Sequence, residues 1–319
     1  MADHKKSMGK DTNSNKTIFH EPWWINTLAG DNEWGYAEIF ENKKCIASLP
    51  WIKIKNKIGK EIICQPAWTQ SFGPWISAPG KNISYANEIS RQHSLMDKLI
   101  DKLPSFDHFI QSFTPEITNA LPFYWRGYDI KLCYTYRLFN LHETDKLWES
   151  MRSQVRNKIT KAKKLGIIVE ESNDIASFYK LLEKTYSRQN LQVNESRELL
   201  KKLYFSCIKN NSGCLFLAKD KNNNLHSGMF LVYNEYCAYN LIAGADPEFR
   251  NSGAHSLTMW NAINFAKDKS KIFDMEGSMI KSIETFFRGF GAIQVPYVQV
   301  QKTESKLLKI IKMSKSIFF

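Results

Sequence analysis

Two carboxylates, Asp274 and Glu276, stand two residues apart in Lys271-Ile-Phe-Asp-Met-Glu-Gly-Ser278. Strand alternation places Ile272, Asp274 and Glu276 on one face and Phe273 and Met275 on the other, with the carboxylates roughly 7 Å apart. A strand that opens into a turn is where α/β proteins often hold their ligands. Gly277 allows the backbone to bend sharply, and Ser278 has the side chain of a helix N-cap. Two readings fit these residues: a pair of ligand-facing carboxylates, or acids that cap and solvate a strand end.

A second group is cationic. From Arg152 to Val169 there are six basic residues (Arg152, Arg156, Lys158, Lys161, Lys163, Lys164) and no acid. The apolar stripe Trp148, Met151, Val155, Ile159 and Ala162 predicts one amphipathic helix over 144–165, with Arg152, Arg156 and Lys163 along its flank. Helices usually balance such charge with carboxylates one turn away, and this one does not. It reads either as a solvated basic face or as a docking surface for phosphates, with Arg152 and Arg156 nearest a pocket. A third element is the turn holding Gly253, which opens an apolar helix running to Ala266. Free N–H groups at such a start suit a pyrophosphate or a carboxylate.

The surrounding pattern supplies the frame. Strands are expected at 34–40, 44–55, 60–65, 106–113 and 128–139, with a helix over 84–103 and a short one before the last strand. The loop 65–80, with three prolines and two tryptophans, lines a pocket or packs as structure. After a boundary at 140–145 come the basic helix, a strand at 167–170, helices at 174–190 and 196–210, and strands at 214–219, 227–233, 236–243 and 295–301. Mixed strands and helices of this order predict an α/β (α+β) layer fold in two units, 17–142 and 143–303. A polar leader over 1–16 precedes them. A basic amphipathic helix over 304–319 follows, suited to an anionic bilayer or to docking on its own domain.

Composition narrows the partners. The 319 residues carry a formal net charge of +12, with 43 % hydrophobic and 13 % aromatic residues, so a folded core and polyanionic partners are expected. No apolar run reaches the ~18 residues of a membrane span. Six scattered cysteines without a C-x-x-C pair, and no secretory leader, point to a reducing cytoplasmic setting. The seven histidines show no metal-ligand spacing, and no metal is expected. A nucleic-acid-binding protein would fit the charge, yet the aromatics cluster in the first half and the cation row in the second.

Three stretches together resemble the Fem-type branch of the GNAT acyltransferase superfamily. They are Pro66-Ala-Trp-Thr-Gln-Ser-Phe-Gly73, the basic run Arg152–Gly166, and Phe273-Asp-Met-Glu-Gly-Ser278 followed by Phe286-Phe-Arg-Gly-Phe-Gly291. The resemblance spans about residues 20–303 and implies tandem GNAT-like domains, each a mixed central sheet flanked by helices. It implies transfer of an acyl or aminoacyl group to an amine of a cell-envelope or surface-polysaccharide precursor, borne on sugar, peptide or lipid. The donor would be acyl-CoA or aminoacyl-tRNA, with no tightly bound cofactor. A cytoplasmic protein, in peripheral contact with an anionic membrane, fits that work, and a non-catalytic GNAT-like scaffold is the alternative. Under the resemblance Glu276 is the first choice for the proton acceptor and Asp274 the second. Arg152 and Arg156 hold a diphosphate or RNA phosphate, Arg288 does the same or braces Glu276, and Gly253 and Ser278 flank the donor. Arg250-Asn-Ser-Gly-Ala-His255 departs from the acetyl-CoA enzymes' pyrophosphate loop, R/Q-x-x-G-x-G/A, at its last position. There His255 replaces a small residue and crowds a pantetheine pyrophosphate.

Overall fold

Short polar turns fold the first third of the chain back on itself. The computed structural model describes residues 16–80, 82–188, 192–193, 195–277 and 279–317. The expected leader therefore lies, apart from Lys16, outside the described residues, and so does Ser278. A 3-10 turn (Ile18–His20) and helix α1 (Pro22–Ala29) come first, where aromatic density in the sequence had hidden a helix. Asn42 and Lys43, at φ 50° and 64°, form the two-residue turn that twists β1 (Glu33–Glu41) onto β2 (Lys44–Lys55). β3 (Glu61–Cys64) and the two-residue β4 (Trp75–Ile76) both pair with β2. Helix α2 (Tyr85–Asp101), capped by the Ser84 hydroxyl, leads to β5 (His108–Ser112), α3 (Leu121–Trp125) and β6 (Asp129–Phe139).

The single basic helix expected over 144–165 is two: α4 (Thr144–Ser150) and α5 (Ser153–Lys164). Met151 and Arg152 are extended between them, and the Arg152 N–H donates to the Gly289 carbonyl at 2.9 Å. A tertiary partner for one backbone N–H thus outweighs a continuous apolar stripe. Val155, Ile159 and Ala162 are buried as expected. Then follow β7 (Ile168–Ser172), α6 (Ile175–Ser187), α7 (Arg197–Lys209), β8 (Gly213–Lys219), β9 (Leu225–Tyr233) and β10 (Cys237–Ala245). A second 3-10 turn (Pro247–Ser252) opens α8 (Ala254–Ala266), and β11 (Ile272–Asp274), α9 (Lys281–Arg288), β12 (Ile293–Thr303) and α10 (Lys306–Ile317) complete the order.

The mixed α/β architecture is present, and its two halves join in one sheet. The strand order is β1-β2-β3-β5-β12-β6-β11-β10-β9-β8-β7, with β4 beside β2. β3/β5 and β10/β11 are parallel and the other pairs antiparallel. Strands are exchanged at the centre: β12, late in the chain, lies between β5 and β6, and β6 pairs with β11. One core packs α5 and α8 on the sheet through Ile159, Ala262 and Ile263. A second packs α6, α7 and the α1 segment through Phe178, Leu203 and Trp24. A third, between α2, α3 and the first strands, is built on Met96, Phe109 and Phe123. Burying each such large side chain contributes about 1.5–3 kcal/mol. Among the described residues no helix is long and apolar enough to cross a membrane.

Candidate active site

Strands β10 and β11 begin together and then part. Cys237, Ala238 and Tyr239 pair with Ile272, Phe273 and Asp274, after which β11 ends while β10 runs on to Ala245. A bulge between Asn240 and Ile242 turns β10 away at that point. The gap is bridged on one side by the Asn240 amide, whose Nδ2 donates to the Met275 carbonyl at 3.3 Å.

Asp274 and Glu276 therefore do not share a strand face, as alternation had predicted. The strand stops at Asp274, and Glu276 takes a positive φ of 56°. Its N–H donates to Asp274 Oδ1 at 2.9 Å, a local turn that a short carboxylate offers readily. Gly277 then passes so close to β6 that a Cβ there would lie 1.9 Å from the Tyr134 carbonyl oxygen. This close approach, more than a special φ, explains the glycine. α9 begins only at Lys281, with Ile280 at its N-cap, so the cap expected of Ser278 falls outside the described residues.

The two carboxylates have opposite surroundings. Asp274 is fully buried and accepts from Thr135 Oγ1 at 2.5 Å, Gln70 Nε2 at 3.4 Å, Arg137 Nε at 2.6 Å and the Glu276 N–H. Arg137, itself buried, also pairs through Nη1 with Glu116, which accepts in addition from the Tyr236 hydroxyl at 2.6 Å. Glu276 is half-buried by area, yet its Oε1 is closed in with no hydrogen-bond partner among the described residues. Burial first, and the Asp274 charge second, push its carboxyl well above the usual range. The Glu276 charge reaches Tyr186, at the end of α6, and Tyr297, on β12, whose phenols are pushed up mainly by burial.

Nine buried side-chain polar atoms lack a partner among the described residues, and five of them gather around this network. They are Gln70 Oε1, Glu116 Oε2, Tyr239 OH, Asn240 Oδ1 and Glu276 Oε1. Unpaired buried polar atoms are costly, so their concentration makes this the candidate site. Arg137, Thr135, Gln70 and Glu116 escaped the sequence reading. The signal was there for two of them: Thr135 and Arg137 are polar residues two apart in the otherwise aromatic and apolar stretch 132–139.

The cations expected to hold phosphates separate. Arg156 Nη1 donates to the carbonyls of Trp148, Glu149 and Met151 at 3.3, 2.8 and 2.7 Å, closing the end of α4. Arg152 is exposed at the start of α5, and its guanidinium makes no hydrogen bond among the described residues. Lys158, Lys161, Lys163 and Lys164 are exposed beyond it. Arg288 pairs with Glu284 at 2.6 Å, one turn back on α9, and does not brace Glu276. Gly253 lies at φ 80° at the start of α8, where a Cβ would lie 2.2 Å from the Lys158 carbonyl oxygen, so it seats α8 against α5.

His255 occupies the first turn of α8 and fills the space between that helix and α9. Its ring stacks on Phe286 with centroids 5.0 Å apart, and Nδ1 meets Ser227 Oγ at 3.1 Å. Ser227 gives its own hydrogen to the Gly244 carbonyl, so His255 Nδ1 is the donor and Nε2 the free acceptor. Burial, helped by Arg188 and Lys158, brings its pKa down to about 4, so the ring is neutral at pH 7. The Ala254 N–H is already held by Ser252 Oγ at 3.2 Å. The start of α8 thus has one N–H already engaged and the His255 ring packed beside it.

Residues 149–276 match the acetyltransferase (GNAT) domain family. No curated protein matches the chain by sequence. The crystal structure of FemX is similar at a TM-score of 0.67 and 14% identity, covering 88% of this chain and 91% of that one. L-PGS from Bacillus licheniformis is similar at 0.54 and 9%, covering 91% of each chain. The C-terminal domain of a putative lysylphosphatidylglycerol synthetase from Agrobacterium fabrum is similar at 0.52 and 7%, covering 91% of this chain and 88% of that one. The gap between β10 and β11, with Asp274 and Glu276 at its mouth, lies within the matched family region. Residues 149–276 thus match the acetyltransferase (GNAT) domain family, and the fold of the chain is similar to that of FemX.

Proposed function

We propose that this transferase forms an amide on an amino group of a cell-envelope or surface-polysaccharide precursor, drawing the acyl or aminoacyl group from an activated ester or thioester. The reading treats 17–142 and 143–303 as two GNAT-like units that share one sheet. The observation that carries it is Glu276: a closed-in carboxyl with an unpartnered oxygen, where two parallel strands part within a GNAT domain. An attacking amine forms a C–N bond and must shed a proton as the C–O or C–S bond breaks. Glu276 takes that proton and can return it to the departing oxygen or sulfur. A raised pKa makes its carboxylate a stronger base than an exposed glutamate. Asp274 has its oxygens occupied by four donors and acts as a positioning residue, fixing the Glu276 backbone. Most of the remaining acceleration comes from holding donor and amine together.

His255 favours an aminoacyl ester over acyl-CoA, since it stands where a diphosphate would approach α8. The exposed row Arg152, Lys158, Lys161, Lys163 and Lys164 then tracks an RNA backbone. On α10, Leu307 and Ile310 are exposed next to Lys306 and Lys309, which favours a lipid-linked acceptor reached at an anionic bilayer on the cytoplasmic side. The test presents purified protein with acetyl-CoA or a mixture of charged tRNAs, and with an amino-sugar nucleotide or a lysine-bearing peptide. Mass spectrometry reads the amide. The reading expects product from charged tRNA and none from Glu276→Gln, with donor binding unchanged within a few-fold. Wild-type turnover by Glu276→Gln overturns the base assignment.

A further inference from the structure

A cavity of about 320 Å³ lies between α6, the start of β9 and the 3-10 turn that leads into α8. One face of α6 supplies Ser177, Lys180, Leu181 and Lys184, at the spacing of successive helical turns. Leu225 and Phe249 complete the apolar lining. The Phe249 ring is half-buried and stacks on His226, with centroids 3.9 Å apart and planes 10° from parallel. His226 is held by Asp220 Oδ2 at 3.3 Å and does not line the cavity, so the ring face that His226 leaves uncovered is the one open to a ligand. α6 also leads towards the candidate site: Lys184 lines the cavity, and the Glu276 charge reaches Tyr186, two residues on.

The charges around this space divide into engaged and free. Lys184 Nζ pairs with Asp246 Oδ2 at 2.5 Å, and Asp246 Oδ1 takes the Glu248 N–H at 3.0 Å. On the adjoining segments, Asp220 holds His226 and Asn224, and Asp174 caps α6 through the Ser177 N–H, with Lys219 near it. One cation and one anion of the lining are left, Lys180 and Glu248. Both are exposed, and neither side chain makes a hydrogen bond or ion pair among the described residues. Glu248 lies in the field of Lys184 without bonding to it. An aromatic shelf with one free cation and one free anion beside it complements a planar ring that carries an amine and an anionic group.

We propose that this cavity binds an amine-bearing nucleobase, adenine or cytosine, as its nucleotide. The base packs on Phe249, extends the His226–Phe249 stack and meets Leu181 and Leu225. Its exocyclic amine donates to the Glu248 carboxylate, and its phosphate meets Lys180. Uracil has a carbonyl oxygen where cytosine has the amine, and that oxygen is repelled by Glu248. Resting on the aminoacyl-ester reading above, the nucleotide belongs to the 3′ end of the donor RNA, whose last residues, C-C-A, all carry such an amine.

Calorimetry on the intact protein, with no acyl donor or acceptor present, tests this apart from turnover. AMP and CMP should bind, and UMP should bind about ten-fold more weakly. Phe249→Leu should weaken AMP about ten-fold through lost stacking. If Phe249→Leu fails to fold, Lys180→Glu decides, since Lys180 is exposed and unbonded: it should weaken AMP about ten-fold and leave adenosine unchanged. In competition, an RNA oligomer ending in C-C-A should displace AMP at lower concentration than coenzyme A, which also carries adenine. The inference is overturned by no AMP binding at millimolar concentration, by UMP binding as tightly as AMP, by AMP binding unchanged in Lys180→Glu or in the folded Phe249→Leu, or by coenzyme A displacing AMP better than the RNA. Such a failure leaves Glu276 untouched, whereas an active Glu276→Gln sinks the transfer mechanism and leaves the cavity's nucleotide binding as measured.

Discussion

The mouth of the β10–β11 gap and the cationic row of α5 are two charged regions built on opposite principles. At the gap, buried Arg137 joins buried Asp274 to the half-buried Glu116, and Glu276 stands beside them with an oxygen that has no partner among the described residues. On α5 the lysines are exposed and Arg152 has no side-chain hydrogen bond among the described residues. The difference teaches that charge alone does not mark chemistry. Spent charges build a frame; under the proposed function the closed-in Glu276 carboxyl takes the proton and the exposed row steers a polyanion.

The frame should break first when its shared cation is removed. Arg137→Met leaves the buried Asp274 and the half-buried Glu116 without a counter-ion and should cost about 3–5 kcal/mol, measured by urea unfolding. Loss of less than about 1 kcal/mol would mean that solvent reaches Asp274. Acid should act nearly as strongly. His20 and His255 are neutral in the folded protein, with pKa values near 4 against an ordinary 6.5. Below pH 6.5 the unfolded chain takes up protons that these rings refuse, so stability is complete above pH 6.5 and falls as pH drops towards 4. Each ring contributes on the order of 3 kcal/mol to that fall. His20→Asn should flatten the profile, and an unchanged slope would contradict the burial argument.

Close approach comes next. Gly277→Ala drives a methyl into the Tyr134 carbonyl and should cost about 3 kcal/mol, read as a lower midpoint in urea. The cations divide at the small end of the scale. Arg156→Ala opens the end of α4 and should cost about 1 kcal/mol. Arg152→Ala should leave stability unchanged and instead reduce the salt dependence of tRNA binding by about one unit of slope. Equal effects on both properties would erase the distinction between frame and steering surface.

Much of the architecture could be read from residue spacing. The β1–β2 turn, the strands of the second half and the buried helix after Gly253 follow from local chemistry. The carboxylates at the end of β11 were visible too, because acids at a strand end are conspicuous. What stayed hidden depends on partners distant in the chain. The break between α4 and α5 is set by the Gly289 carbonyl, and the commitment of Arg156 by carbonyls that exist only once α4 ends. Arg137 and Glu116 are separated from Asp274 by well over a hundred residues, and only the strand exchange at the sheet centre brings them together. Spacing shows which charges an element carries, and not which of them the fold has already used.

The most direct test compares Glu276→Gln with wild type in both amide formation and thermal melting across pH. A carboxyl held above the ordinary glutamate range disfavours the folded state as pH rises past about 4. The variant should therefore lose at least about 100-fold in turnover while melting higher than wild type at pH 8, with the gain gone near pH 4. Turnover near wild type, or a lower melting temperature at pH 8, would contradict the assignment of Glu276 as the closed-in proton acceptor.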